Sequence, residues 1–101
     1  MGRAVREGDL LVTGHGCDGI AALSFSLVRT VKANGIYGAV AGTPVAPHTI
    51  RVGLVCVGHT AFLNTGSPNV KIGGIAWGRV GDSADQGAMI TGSSNVLVNG
   101  R

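Results

Sequence analysis

Gly66-Ser67-Pro68-Asn69-Val70-Lys71-Ile72-Gly73-Gly74 and Gly92-Ser93-Ser94-Asn95-Val96-Leu97-Val98-Asn99-Gly100 repeat one another at a shift of 26 residues. A weaker copy, Leu27-Val28-Arg29-Thr30-Val31-Lys32-Ala33-Asn34-Gly35, places Val31 and Gly35 each 39 residues before Val70 and Gly74. All three copies share a valine, two further residues, and then Asn-Gly or Gly-Gly. A short run of strand formers leading into a turn that accepts positive φ is the signal of a β-hairpin corner. Each unit is therefore expected to be a small β element, and a repeated unit constrains architecture more firmly than local propensity does.

Beyond each turn the chain runs seven residues to another glycine corner, from Gly35 to Gly42 and from Gly74 to Gly81, the second followed by Asp82. The opening of the chain, Gly2 to Asp9, matches Ile75 to Asp82 in position, with Ala4, Arg6, Gly8 and Asp9 beside Trp77, Arg79, Gly81 and Asp82. One domain over 1–101 is expected, with units at 27–43, 66–82 and 92–101, the last completed by residues 2–9. The two ends then meet, and three hairpins close into a ring of approximate threefold symmetry with no sheet edge left unpaired. The expected fold is all-β, a small three-sided β-prism or cone. The connecting segments Asp9–Val31, Thr43–Val70 and Asp82–Val96 read as loops of unequal length that crowd at one end.

Composition explains why such a fold wants a staple. A chain of 101 residues buries a modest share of its surface, and with aromatics at only 4% its core must be built from Val, Ile, Leu and Ala. Eighteen glycines favour tight corners over long helices. No apolar run approaches the roughly 18 residues of a membrane span. The N-terminal residues lack the apolar stretch of a secretory signal, so synthesis in the cytoplasm is expected. The net charge of +3 is carried by scattered Lys and Arg without interleaved aromatics, which argues against nucleic-acid binding.

All histidines and cysteines fall in the two longer connecting segments: His15 and Cys17 in the first, His48, Cys56 and His59 in the second. Structural zinc takes four ligands from thiolate and imidazole, and Cys56-x-x-His59 is a spacing with which one turn can supply two. The expected ligand set is His15, His48, Cys56 and His59, with Cys17 as the alternative fourth ligand or as a disulfide partner of Cys56 when metal is lost. Cys17 and Cys56 occupy equivalent places in their repeats, so pseudo-symmetry does not choose between them. Zinc is favoured over iron.

These residues resemble the PAAR-repeat family, whose units read roughly G-S-P-x-V-x-x-N-G-x-P-A-A-R-x-G-D. The likeness is closest over Gly66 to Asp82 and Gly92 to Gly100. The namesake tetrapeptide stands as Ala76-Trp77-Gly78-Arg79 and Arg3-Ala4-Val5-Arg6, and the first unit has Leu27-Val28 for Gly-Ser and Thr43 for Asp. The resemblance implies a cone with zinc near its apex, held by three histidines and one cysteine. It further implies the sharpened tip of a contractile phage tail or type VI secretion spike. The third segment, Gly81 to Gly87, often carries a ligand in that family, and none is expected in it here.

The expected role is mechanical: a monomer with internal threefold symmetry caps a trimeric spike protein and helps it pierce the target cell envelope, without enzymatic activity. An adaptor that recruits effector cargo is the alternative. A zinc-dependent hydrolase is the weaker rival, because its five acids sit mostly in repeated corners and no general base stands out. Trp77 is expected either to touch the partner or to serve packing.

Overall fold

Short runs of Val, Ile, Leu and Ala separated by glycine turns cannot build long strands, and the computed structural model, which describes residues 2–98, contains only short ones. In chain order they are β1 (Gly2–Arg3), β2 (Leu10–Val12), β3 (Ile20–Ala22), β4 (Lys32–Ala33), β5 (Ile36–Tyr37) and β6 (His48–Val52). There follow β7 (Val55–His59), β8 (Lys71–Ile72), β9 (Ile75–Ala76), β10 (Ser83–Ala84), β11 (Gly87–Met89) and β12 (Leu97–Val98). The fold is all-β, with no helix among the described residues, and so none long and apolar enough to cross a membrane. The molecule extends 41 × 23 × 21 Å.

Three equivalent hairpins pair in matching register. Lys32 faces Tyr37 and Ala33 faces Ile36; Lys71 faces Ala76 and Ile72 faces Ile75; Leu97 faces Arg3 and Val98 faces Gly2. The third hairpin joins β12 to β1, so the two ends of the described chain lie side by side. The turn expected at Asn99-Gly100 lies outside the described residues.

Each hairpin feeds a segment that meets the other two. Val5 N–H donates to Gly78 C=O at 2.9 Å, Gly78 N–H to Ala39 C=O at 2.8 Å, and Ala39 N–H to Val5 C=O at 2.9 Å. These positions are equivalent in the three units, so the bonds form a closed triangle. Bridges Ala4–Arg79, Gly38–Arg6 and Val40–Trp77 surround it. Closure of this kind pairs the backbone groups of the triangle with one another and leaves no free edge between its three segments.

The ring divides the core. On the hairpin side Ala4, Ala33, Val40, Ile72, Trp77 and Val98 pack together. On the other side Val5, Leu11, Leu23, Ala39, Val45, Leu63, Ala84 and Met89 do so, with Ala61. Trp77 is thus a packing residue, its Nε1–H donating to the Val5 carbonyl at 2.9 Å. Because aromatics are scarce, this one indole needs space opposite it: a Cβ on Gly38 would lie 2.8 Å from the ring.

Past the ring each unit turns a corner at a glycine with φ near +90°, Gly8 (83°), Gly42 (94°) and Gly81 (95°), a conformation costly for other residues. In two corners a carboxylate closes the turn. Asp82 accepts from the Arg79 backbone N–H at 2.7 Å and from its guanidinium at 3.0 and 2.8 Å; Asp9 repeats the pattern with Arg6 at 2.7, 3.0 and 3.2 Å. In the third, Thr43 Oγ1 accepts from Val40 N–H at 3.2 Å. The first unit departs further upstream as well. Ser67 and Ser93 each hold two backbone N–H groups, whereas the corresponding Ser26 sits two residues earlier than the 39-residue shift requires and holds Val28 N–H alone.

The three corners differ in charge, and that difference is testable. Arg79 and Asp82 are buried together, and removing one partner of a buried pair leaves the other uncompensated, at about 3–5 kcal/mol. Thr43→Val deletes a neutral acceptor and costs about 1–3 kcal/mol. Chemical denaturation should therefore rank Asp82→Ala well above Thr43→Val. Burial alone would push the Asp82 carboxyl up, but hydrogen bonds and charge from Arg79 hold it below the usual range. Its folded value is below its unfolded one, so the stabilisation is complete above the ordinary carboxylate range and is lost as pH falls through the folded pKa. Asp82→Asn should flatten the acid limb of the stability profile.

Candidate metal centre

Beyond the corners, the three connecting segments are hairpin legs rather than loops. The first is β2–β3, paired from Leu10–Ala22 to Val12–Ile20. The second is the long β6–β7 hairpin, paired from His48–His59 to Val52–Val55. The third is β10–β11, with Ala84 opposite Gly87. β11 also pairs with β2, Ala88 facing Val12. That approach requires glycine, since a Cβ on Gly87 would stand 2.0 Å from the Val12 carbonyl oxygen.

Backbone and side-chain bonds tie the legs together where they converge. Gln86 N–H donates to Thr13 C=O at 2.9 Å and Asp85 N–H to Phe62 C=O at 3.1 Å. Asp18 accepts from Thr49 N–H at 2.7 Å and from Thr49 Oγ1–H at 2.8 Å. The fully buried Thr13 hydroxyl donates to Asp18 C=O at 2.7 Å and closes the bend that carries His15.

At this convergence His15, His48, His59 and Asp85 form one group, with ligand atoms all within 4.8 Å of one another. Asp85 Oδ2 lies 2.8 Å from His15 Nε2 and 2.8 Å from His48 Nε2; Oδ1 lies 3.1 Å from His59 Nε2. The Asp85 side chain is only 2% exposed, and His59 is the most open member at 24%. The His15 and His48 rings stack, 3° from parallel, and His59 stands edge-on to both.

The far nitrogens decide what this group can do. His48 Nδ1 is 2.8 Å from Ala46 C=O and His15 Nδ1 is 3.1 Å from Gly16 C=O. A carbonyl only accepts, so each Nδ1 must carry the proton. In the neutral ring Nε2 then presents a lone pair toward the Asp85 carboxylate. Lone pairs facing lone pairs need a cation between them or a proton on the rings. Backbone carbonyls holding the outer nitrogen are the usual second shell of metal-bound histidine. Donor atoms around tetrahedral zinc stand about 3.3 Å apart, within the span of this group. A three-histidine, one-carboxylate group able to hold a metal ion is thus present, contributed by all three legs.

Three of the four residues expected as ligands, His15, His48 and His59, come together; Cys56 does not join them. It is bonded to Cys17, with Cα atoms 6.0 Å apart, so the alternative fourth ligand is engaged in the same bond. The reason is strand geometry. Cys56 and His59 lie on β7 rather than in one turn, and a separation of three along a strand puts side chains on opposite faces. His59 shares a face with His48, directly opposite it. Cys56 points to the other face, opposite Arg51, and is joined there to Cys17.

The fourth donor, Asp85, comes from the segment expected to carry none. It occupies the two-residue turn between β10 and β11 with φ at 54°, a conformation that Asp tolerates better than most residues. Its signal was available as Ala84-Asp85-Gln86-Gly87, a hairpin turn with an acid at its tip. The omission follows from counting only thiolate and imidazole as ligands, with the five acids read mostly as residues of repeated corners.

Without metal, protons must balance the group. Burial lowers the His15 pKa, but hydrogen bonds to Gly16 and Asp85 outweigh it and leave it raised. Asp85, despite burial, is held below the carboxylate range by His59, His15 and His48. The His15 contribution is present below the ordinary histidine range and is lost as pH rises through its folded pKa. The Asp85 contribution is present above the ordinary carboxylate range and is lost as pH falls. Metal-free protein should therefore lose stability as pH rises above the ordinary histidine range, whereas with saturating Zn²⁺ stability should rise with pH through that range, because metal and protons compete. Thermal melts across pH with chelator or Zn²⁺ check this, and Asp85→Ala should abolish the difference.

The disulfide closes a 39-residue separation, worth about 4 kcal/mol in the chain-entropy account. The double variant Cys17→Ser/Cys56→Ser should melt lower yet still bind one metal ion per chain by elemental analysis. Loss of the metal would return Cys56 to the ligand set.

Compared with known proteins, the chain matches no protein-family model and no curated protein.

Proposed function

We propose that this protein is the tip of a contractile injection machine, a single chain that caps a trimeric β-helical spike and carries a structural metal ion, zinc in first place, at its free end. The closed triangle of Val5, Ala39 and Gly78 carries the reading. It gives one chain three equivalent faces around one axis, the geometry that a partner with three identical strand edges requires.

The two sides of the triangle suit two different tasks. The hairpins β4–β5, β8–β9 and β12–β1 are equal in length and register, and Val31, Ile36 and Leu97 leave apolar side chains exposed there. This is the face for the spike. The legs on the other side are unequal and meet at the histidine group. Four protein donors form a closed set, which suits a structural ion and leaves no open position for activating water. Zinc bound there would pin three legs to one point and resist their separation under load.

Mixing the purified protein with a trimeric spike from a contractile machine tests the role. One copy per trimer, measured by mass in solution, is the expected outcome. No complex, or three copies per trimer, would exclude capping. Ile36→Asp and Leu97→Asp should each weaken the complex by about tenfold or more, without altering metal content.

A further inference from the structure

The β6–β7 hairpin outruns its ties to the rest of the molecule. Its root is fixed by the histidine group, by Asp18 on Thr49, by Arg51 N–H donating to Gly16 C=O at 3.2 Å, and by the Cys17–Cys56 disulfide. Beyond the Arg51–Cys56 pair, the last one tied to the body, the Val52–Val55 pair and the Gly53-Leu54 turn project freely, about 7 Å at strand spacing. The finger is apolar at its end. Leu54 is 99% exposed, Val55 58% and Val52 55%, and Val57 is exposed as well. Cross-strand pairing puts Ile50, Val52, Val55 and Val57 on one face. Arg51 lies on the other, and no acid occurs between Thr49 and Asn64.

We propose that this finger inserts its apolar tip into the surface of a lipid bilayer that presents anionic headgroups. It rests on the envelope-piercing reading above, and names the bilayer as the partner of the free end. Two features of the finger favour lipid over a protein partner. Its tip is purely aliphatic, without the Trp, Tyr or interface hydrogen-bonding groups on which protein hot spots rely, whereas hydrocarbon requires no complementary shape. The turn at Gly53-Leu54 pairs the backbone of the tip with itself, which lowers the cost of entering an apolar phase. Arg51, the finger's own cation in a chain of net charge +3, lies at its root over Gly16, the level at which headgroup phosphates would surround an inserted tip. The disulfide holds the two strands to the body while the tip is loaded.

The test uses the oxidised, metal-loaded protein with vesicles of phosphatidylglycerol and phosphatidylethanolamine. In Leu54→Trp, the new indole should show blue-shifted emission and quenching by lipids brominated along their acyl chains, against the buried Trp77 as an unmoved background. Leu54→Asp should reduce vesicle partitioning by roughly ten- to a hundredfold, with metal content and melting temperature unchanged, since the side chain contacts only solvent. Raising salt should weaken binding, and Arg51→Gln should reduce that salt dependence. No partitioning by the folded protein, or partitioning that Leu54→Asp leaves intact, overturns the proposal. So does a concentration-dependent dimer abolished by Leu54→Asp in the absence of lipid, which would make the occupant a second copy. Spike capping is measured on the same variants: Leu54→Asp protein that caps normally while vesicle binding fails as predicted separates the two readings. A protein that partitions through Leu54 but never binds a spike sinks capping alone.

Discussion

Three backbone hydrogen bonds, from Val5 to Gly78, from Gly78 to Ala39 and from Ala39 back to Val5, hold positions that are far apart in sequence. Each donor is also an acceptor, so none of the three segments can shift without breaking two bonds in a region shielded from water. Buried backbone groups that lose their partners are costly, and this one constraint fixes the height and orientation of every hairpin and corner. Gly78 sits in the triangle because a Cβ there would come within 2.6 Å of Leu63. Trp77 beside it fills the space that Gly38 leaves, so the axis accommodates different side chains at equivalent backbone positions.

The symmetry is a property of the backbone frame and not of the side chains mounted on it. Two corners use an Arg–Asp pair and the third a threonine, yet Thr43 holds the same Val40 N–H that Asp9 and Asp82 hold in their units. What the turn requires is an acceptor at a fixed place; the charge is additional. The legs vary more freely, because beyond the corner nothing demands equal length. One carries a bend stabilised by Thr13, one a long finger, one a two-residue turn, and all three deliver a donor to the same point.

At that point the chemistry is governed by where protons are already committed. Carbonyls of Ala46 and Gly16 claim the outer nitrogens of His48 and His15, so the inner nitrogens face the Asp85 carboxylate as acceptors. The group is electrostatically incomplete as neutral rings and an ionised acid. It is satisfied by a cation or by protonation, and this is why it reads as a metal centre rather than as three buried histidines that happen to meet. The disulfide contributes from the opposite face of the same hairpin: it locks the frame of the centre without belonging to its donor set.

Much of this was written in the sequence. The repeat of Gly66–Gly74 in Gly92–Gly100, with the opening residues completing the last unit, determined the hairpins, the ring and the meeting of the chain ends. These follow from local turn chemistry and from the rule that closure removes edges. The three histidines were legible by clustering. The fourth donor and the pairing of the cysteines were decided only by tertiary structure. Cys56 and His59 look like neighbours along the chain, but a strand sends them to opposite faces, and whether His48–His59 forms a strand pair or a loop depends on register. Asp85 looks like an ordinary turn residue until β11 packs on β2 and carries it among histidines from two other legs. Spacing in sequence records which residues are near one another along the backbone. Which side of the backbone they occupy, and what the other legs bring to meet them, is set by the fold.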